Sequence, residues 1–308
     1  MGFHAARLTM AEMLKTGTTC FLDPMLTYRA GYDQIYMAVG EMGIRGCLGK
    51  LVKFTETNRQ LSITNPRDRD LLAMSIPALL NAHQKHHNGH QGKIHVWAAA
   101  GTPRDSDIDI PLLAGTQTSV AHNPTSNLKL ASVNVSLGTD GAPCANHYDM
   151  FQEMHLAGIL HKGVNHDASL IPAEVALEMA TINGAIALGL EDDIGILEVG
   201  KKGDFVVIDP YGRGGLGAAP WSDDSFDHAV SPVTTIVHGC TGRDVDMTVV
   251  NGDILVENGK LAIGGREKEM EIVRMAQVSV KALLERCNAG RNDDAKVGAN
   301  LVQSWPLI

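Results

Sequence analysis

The chain has 308 residues, is 44% hydrophobic and carries a formal net charge of −9 with no long basic run. That balance speaks against nucleic acid as a main partner, and no apolar run reaches membrane-span length. The opening "MGFHAARL" has no signal-peptide core and has Ala6 where a myristoylation signal needs Ser or Thr. The five cysteines stand singly, with no Cys-x-x-Cys pair, and read as free thiols of a reducing compartment, so a cytoplasmic location is expected.

In chain order, "AARLTMAEMLKTG" has helical periodicity and a glycine stop, "TTCFLDP" is a short strand ending near Asp23, and "AGYDQIYMAVGEMG" is an amphipathic helix followed by the strand "IRGCLGKLV". Residues 68–88 predict a longer helix and "KIHVWAAAG" a strand. A short helix "DIDIPLLAG" and the strands "TSVAHNP" and "VNVSLGTDG" come next. Strands alternating with helices imply a parallel sheet with crossover helices, an α/β fold. "DMFQEMHLAGILHK" and "PAEVALEMATINGAIALGL" extend the helical layer, with Pro172 at the first turn of the second. After residue 191 the pattern changes to short β-runs, "GILEVGKKGDFVVIDP" and "TTIVHGCTGRDVDMTVVNGDILVENGKL", in which Asn251-Gly252 is a strong hairpin signal. "EKEMEIVRMAQVSVKALLERC" predicts a C-terminal helix.

The wording and order of these segments resemble the amidohydrolase superfamily, in its branch of S-adenosylhomocysteine/methylthioadenosine deaminases and triazine chlorohydrolases. "HNPTSNLKLAS" with a later "GTDG" carries most of the likeness, together with "GTTCFLD", "YDMFQEMHLA", "IGILEVGKKGDFVVID" and "VVNGDILVENGKL". The resemblance implies a (β/α)₈ TIM-type barrel with its site at the C-terminal strand ends, plus a small β-sandwich. It also implies a zinc or iron ion held by a His-x-His pair from strand 1, a histidine from strand 5 and an aspartate after strand 8. A glutamate three residues after the strand 5 histidine would shuttle protons, and a histidine on strand 6 would assist the attacking water.

Only the aspartate transfers, onto Asp140. The chain has 13 histidines but no His-x-His. Its first helix matches the one expected after strand 1. Beyond "VWAAAGTPRD" the chain passes directly to the segment expected after strand 6, an apparent loss of about 60 residues at roughly 30 per βα unit. Only residues 125–132 join "TSVAHNP" to "VNVSLGTDG", fewer than the 10–12 or so that a parallel crossover needs. The expectation is therefore an incomplete barrel of about five of eight strands with a partial β-sandwich appendage. The domain boundaries expected are 1–190 for the partial barrel, 191–265 for the appendage and 266–308 for the C-terminal helix and tail.

Asp140 is the candidate catalytic base and metal ligand; the alternative is a loop carboxylate capping the next helix. His122 and Asn123 end the neighbouring strand and would line the pocket, with His122 a substitute metal ligand, or they order the "HNPTSN" turn. Asp23, on the same rim, and His147, at the pocket mouth, complete the substrate-binding candidates. Asp149 reads as a helix N-cap. His83, His86, His87 and His90 share one helical face and could bind a soft divalent ion, or form a solvated helix end. The cytidine-deaminase type of zinc site is excluded because "PCANH" lacks the second cysteine.

The residues support two functional readings. One is a metal-dependent hydrolase or deaminase acting on C–N or C–Cl bonds of a small heteroaromatic substrate. The other is a catalytically inactive relative that binds a ligand or a partner chain, with a homo-oligomer compatible with both.

Overall fold

The computed structural model describes residues 2–26, 31–52, 75–100, 134–141, 146–209 and 231–289. The first half alternates as expected: α1 (Gly2–Lys15), β1 (Cys20–Leu26), α2 (Tyr32–Met42), β2 (Arg45–Val52), α3 (Ile76–His86) and β3 (Ile94–Ala100). The strands form a parallel sheet in the order β1-β2-β3. The central strand β2 is buried at all eight positions, as expected of a parallel strand covered on both faces. On one face Leu48 and Val52 join Leu14 of α1, Val39 and Met42 of α2 and Leu79 of α3 in the largest core cluster. Each of these fully buried side chains contributes about 1.5–3 kcal/mol. On the other face Cys47 and Trp97 meet Ala185, Leu190 and Ile194.

Ala185 belongs to a helical series, α4 (Met150–Asn165), α5 (Ala173–Ala180) and α6 (Ile182–Ala187), and Leu190 and Ile194 lie just beyond it. The single helix expected from "PAEVALEMATINGAIALGL" is thus two, broken at Thr181 (φ −124°, ψ −94°). The appendage is an antiparallel sheet in the order β4-β5-β6-β7, from β4 (Phe205–Ile208), β5 (Val245–Val250), β6 (Asp253–Glu257) and β7 (Lys260–Leu261). Both tight hairpins carry positive φ at both central residues, Asn251-Gly252 and Asn258-Gly259, the geometry of a type I′ turn. Between β4 and β5 lies α7 (Pro232–Gly239), and α8 (Gly265–Ala289) comes after β7.

Three sequence expectations need correction. The pattern of "TTIVHG" predicts β structure, yet the segment is helical. Pro232 sits in its first turn, and Thr235 and Val237 are buried, the latter beside Phe151, Met154 and Ala176, so packing overrides β-branched propensity. The helix expected over 68–88 is described only from Ile76. Residues 134–141 of "VNVSLGTDG" form no strand. Their polar groups bond to the α5–α6 junction instead: Leu137 N–H donates to the Met179 carbonyl at 3.0 Å, and Asn183 Nδ2 donates to the Val135 carbonyl at 3.0 Å. Met179 lies in the last turn of α5, where carbonyls lack helical partners. "TSVAHNP" and "DIDIPLLAG" lie outside the described residues.

Appendage and parallel sheet are joined by a buried ion pair. Arg45, the first residue of β2, donates from Nε and Nη2 to both carboxylate oxygens of Asp204 at 3.0 and 2.9 Å. The two side chains are 1% and 2% exposed. Asp204 also accepts the Asn251 N–H at 2.7 Å. The preceding Gly203 lies against the Gly252 backbone, where an added Cβ would stand 3.2 Å from the Gly252 nitrogen.

Candidate functional site

Asp140 is exposed and sits in the left-handed region at φ 58°. Its Oδ1 accepts the N–H of Gly141 at 2.7 Å, and the Thr139 hydroxyl donates to its carbonyl at 3.1 Å. Small polar residues tolerate this conformation because the side chain bonds locally. The result is a carboxylate held at the end of 134–141 by its own turn, with no hydrogen bond from another described element.

The other candidates lie elsewhere. Asp23 is half-buried in β1. Strand alternation places it on the face of Phe21, which packs on the helix-facing core. Burial, and then the Asp23 charge, push the Tyr32 phenol above its usual range, while the Tyr32 hydroxyl donates to the Leu48 carbonyl at 3.1 Å. His147 is half-buried and accepts the Asp149 N–H on Nδ1 at 3.2 Å. It lines a cleft of about 670 Å³ with Lys15, Thr16, Arg243 and Glu269, and Asp140 is not among the residues lining it. His122 and Asn123 lie outside the described residues.

Asp149 caps α4 as expected, accepting the Phe151 N–H at 2.9 Å. It also accepts the Gly242 N–H at 2.9 Å, so the cap ties α4 to the approach to β5. The four clustered histidines form no common ion site, and of the solvated end expected as the alternative only His90 is exposed. His86 is buried against Asp33 at 2.7 Å. His83 and His87 stack at 4.2 Å, with His87 Nδ1 accepting the Val96 N–H. His90 packs on Tyr36 at 4.5 Å. Burial, then His83, hold His87 below the usual imidazole range.

Among the described residues, no group of three or more His, Cys, Asp and Glu side chains converges on a point that could hold a metal. A catalytic zinc takes about three protein ligands and a water, so Asp140 and its described neighbours do not by themselves fit such an ion. Sequence reasoning missed one close pair of imidazoles. His155 of α4 and His238 of α7 meet at 3.2 Å across 83 residues, a separation that no local pattern could reveal.

The sequence profile of the amidohydrolase family matches residues 73–255. The chain is 30% identical over 334 positions to a 5-methylthioadenosine/S-adenosylhomocysteine deaminase of Thermoanaerobacter pseudethanolicus, covering 87% of this chain and 74% of that protein. It is 41% identical over 175 residues to the protein of that name from Acetivibrio thermocellus, covering 53% and 38%. It is 37% identical over 196 residues to a 5'-deoxyadenosine deaminase of Methanosarcina acetivorans, covering 60% and 42%. The chain thus spans about two fifths of the length of these last two relatives. Among solved structures, a zinc-bound adenosine deaminase from Xanthomonas campestris superposes with TM-score 0.56 at 22% identity, covering 91% of this chain and 75% of that one. A zinc complex of atrazine chlorohydrolase from Arthrobacter aurescens gives 0.60 at 18%, covering 87% and 75%. These likenesses show a TIM-barrel-like α/β fold. The chain belongs to the amidohydrolase family.

Proposed function

We propose that this chain is built for metal-dependent hydrolytic displacement at an amidine-type ring carbon, with release of ammonia from an adenine nucleoside as the reaction to test first. The observation that carries the reading is the survival of Asp140 in "GTDG" inside the family-matched region 73–255. The names of the matching relatives support the substrate class: methylthioadenosine, S-adenosylhomocysteine and deoxyadenosine. The Thermoanaerobacter alignment bears on completeness. Its 334 positions take in 87% of 308 residues, about 268, which leaves about 66 positions of that relative without a counterpart here. That count supports internal loss of the segments expected to carry the other ligands.

Asp140 is suited to the part assigned to it. Oδ1 is occupied by the Gly141 N–H, and Oδ2 has no hydrogen-bond partner among the described residues. An exposed carboxylate so placed can accept a proton from an attacking water. Zinc or iron, the ion the resemblance implies, would supply Lewis acidity when bound, and Asp140 is the one residue of the expected ligand set that transfers to this chain.

The test is ammonia release from 5'-methylthioadenosine and S-adenosylhomocysteine by purified protein supplied with zinc or iron(II), with an s-triazine chloride as the C–Cl comparison. Turnover that falls at least about 100-fold in Asp140→Ala is expected. Saturable nucleoside binding with no turnover under either metal would replace this reading with a binding protein. Turnover indifferent to Asp140→Ala would remove the assigned base.

A further inference from the structure

We propose that His155 and His238 form a two-imidazole site for a borderline divalent cation such as Zn²⁺, Ni²⁺ or Cu²⁺, separate from Asp140. His155 lies in the second turn of α4 and His238 is the penultimate residue of α7. Their Nδ1 atoms are 3.2 Å apart, with ring centroids at 5.3 Å and planes at 75°. Two nitrogens each about 2.0–2.1 Å from one ion stand about 3.2 Å apart when the angle at the ion is about 100°, between octahedral and tetrahedral values. The pair therefore has the spacing of adjacent ligands without any movement of α4 against α7. Imidazole is a favoured ligand for these ions.

The surroundings keep both rings available. The only hydrogen-bond partner of each ring among the described residues is the other ring. No described carboxylate lies within ion-pair distance of either ring to stabilise an imidazolium. Burial, then His155 and Lys162, hold His238 below the usual imidazole range. Lys162 also opposes a cation, so binding is expected to be reversible and weaker than in a three-ligand site. Room for the pair comes from Gly158, one turn beyond His155, where an added Cβ would stand 2.8 Å from His238 Cε1. A glycine inside a helix costs about 0.8–1 kcal/mol relative to alanine, and here it seats one imidazole beside another.

Proton balance is simple. In the free pair one Nδ1–H donates to the other Nδ1. On binding, that proton moves through solvent to Nε2 of its own ring, and two water ligands leave the ion.

The experiment is a calorimetric titration of full-length protein carrying Asp140→Ala with ZnCl₂ or NiCl₂, which removes any contribution from Asp140. Saturable binding of one ion is expected, weakened at least about tenfold by either His155→Gln or His238→Gln and unchanged by His161→Gln on the same helix. Glutamine keeps a similar shape and polarity without replacing imidazole as a strong ligand. Paramagnetic Ni²⁺ broadening of the His155 and His238 ring resonances gives the same assignment with both histidines in place. Absence of saturable binding at millimolar ion, affinity unchanged in the two pair variants, or equal weakening by His161→Gln would each overturn the proposal.

Discussion

Two aspartates mark two regions of this protein, and they are held in opposite ways. Asp140 ends a segment without strand pairing, is exposed, and has its side chain bonded only to the next residue among those described. Asp204 lies in the turn before β4, is 2% exposed, and is gripped by Arg45 and the Asn251 N–H. The first belongs to the motif that links the chain to a catalytic family, the second to a turn whose sequence reads only as a family marker. The carboxylate proposed for chemistry stands almost free, while Asp204 holds two layers together.

Breaking that contrast gives the largest effect. Asp204→Ala leaves Arg45 buried and unpaired and is expected to lower stability by about 3–5 kcal/mol, read as a shift of the urea midpoint. Asp140→Ala removes the local bond to Gly141 and leaves an alanine at φ 58°, so it is expected to cost only about 1–2 kcal/mol while abolishing the proposed turnover. A large loss of stability on removing Asp140, or none on removing Asp204, would erase the distinction.

A medium effect should appear with pH. Burial, then the nearby His87, Arg45 and Lys202, push His95 down to about 4, and its Nε2 is buried without a hydrogen-bond partner among the described residues. The unfolded chain takes up this proton near the ordinary pKa of about 6.5, but the folded chain does so only near 4. Between those values the unfolded state binds more protons, so the contribution is complete above about pH 6.5 and is lost as pH falls toward about 4. The slope is at most about 1.4 kcal/mol per pH unit, reduced by the residue's partial exposure. Urea midpoints of the parent and His95→Gln at about pH 7 and about pH 5, on either side of the ordinary imidazole pKa, check this. The parent should lose more on acidification than the variant, and equal losses would count against it.

The smallest effect concerns the hairpin beside Asp204. Gly252 has φ 83° and nothing within 4 Å of an added Cβ. Gly252→Ala should therefore carry only the conformational cost of the left-handed region, about 1–2 kcal/mol. Thermal denaturation measures it, and a loss as large as that of Asp204→Ala would mean that the turn, and not the ion pair, secures the joint.

Much of the fold is legible in the sequence wherever the signal is local. The periodicity of α1 and α2, the apolar runs of β1 to β3, the Asn251-Gly252 turn and the Asp149 cap all depend on neighbours a few residues apart. The family is legible too, because "GTDG" and "GKKGDFVVID" survive as unbroken runs of residues. Less of the candidate site is readable. Asp140 can be named, but His147 lines a different cleft, the Asp23 charge acts on Tyr32, and the four clustered histidines are divided among Asp33, Tyr36, each other and the Val96 amide.

The sequence by itself determined the α/β class, the hairpins and the family, since each is written in adjacent residues. The tertiary structure alone decided that residues 134–141 bond to the α5–α6 junction, that "TTIVHG" is a helix, that Asp204 joins appendage to sheet, and that His155 meets His238. Each of those outcomes is set by burial and hydrogen bonding between segments far apart in the chain, where satisfying a buried polar group or covering an apolar face outweighs the local preference.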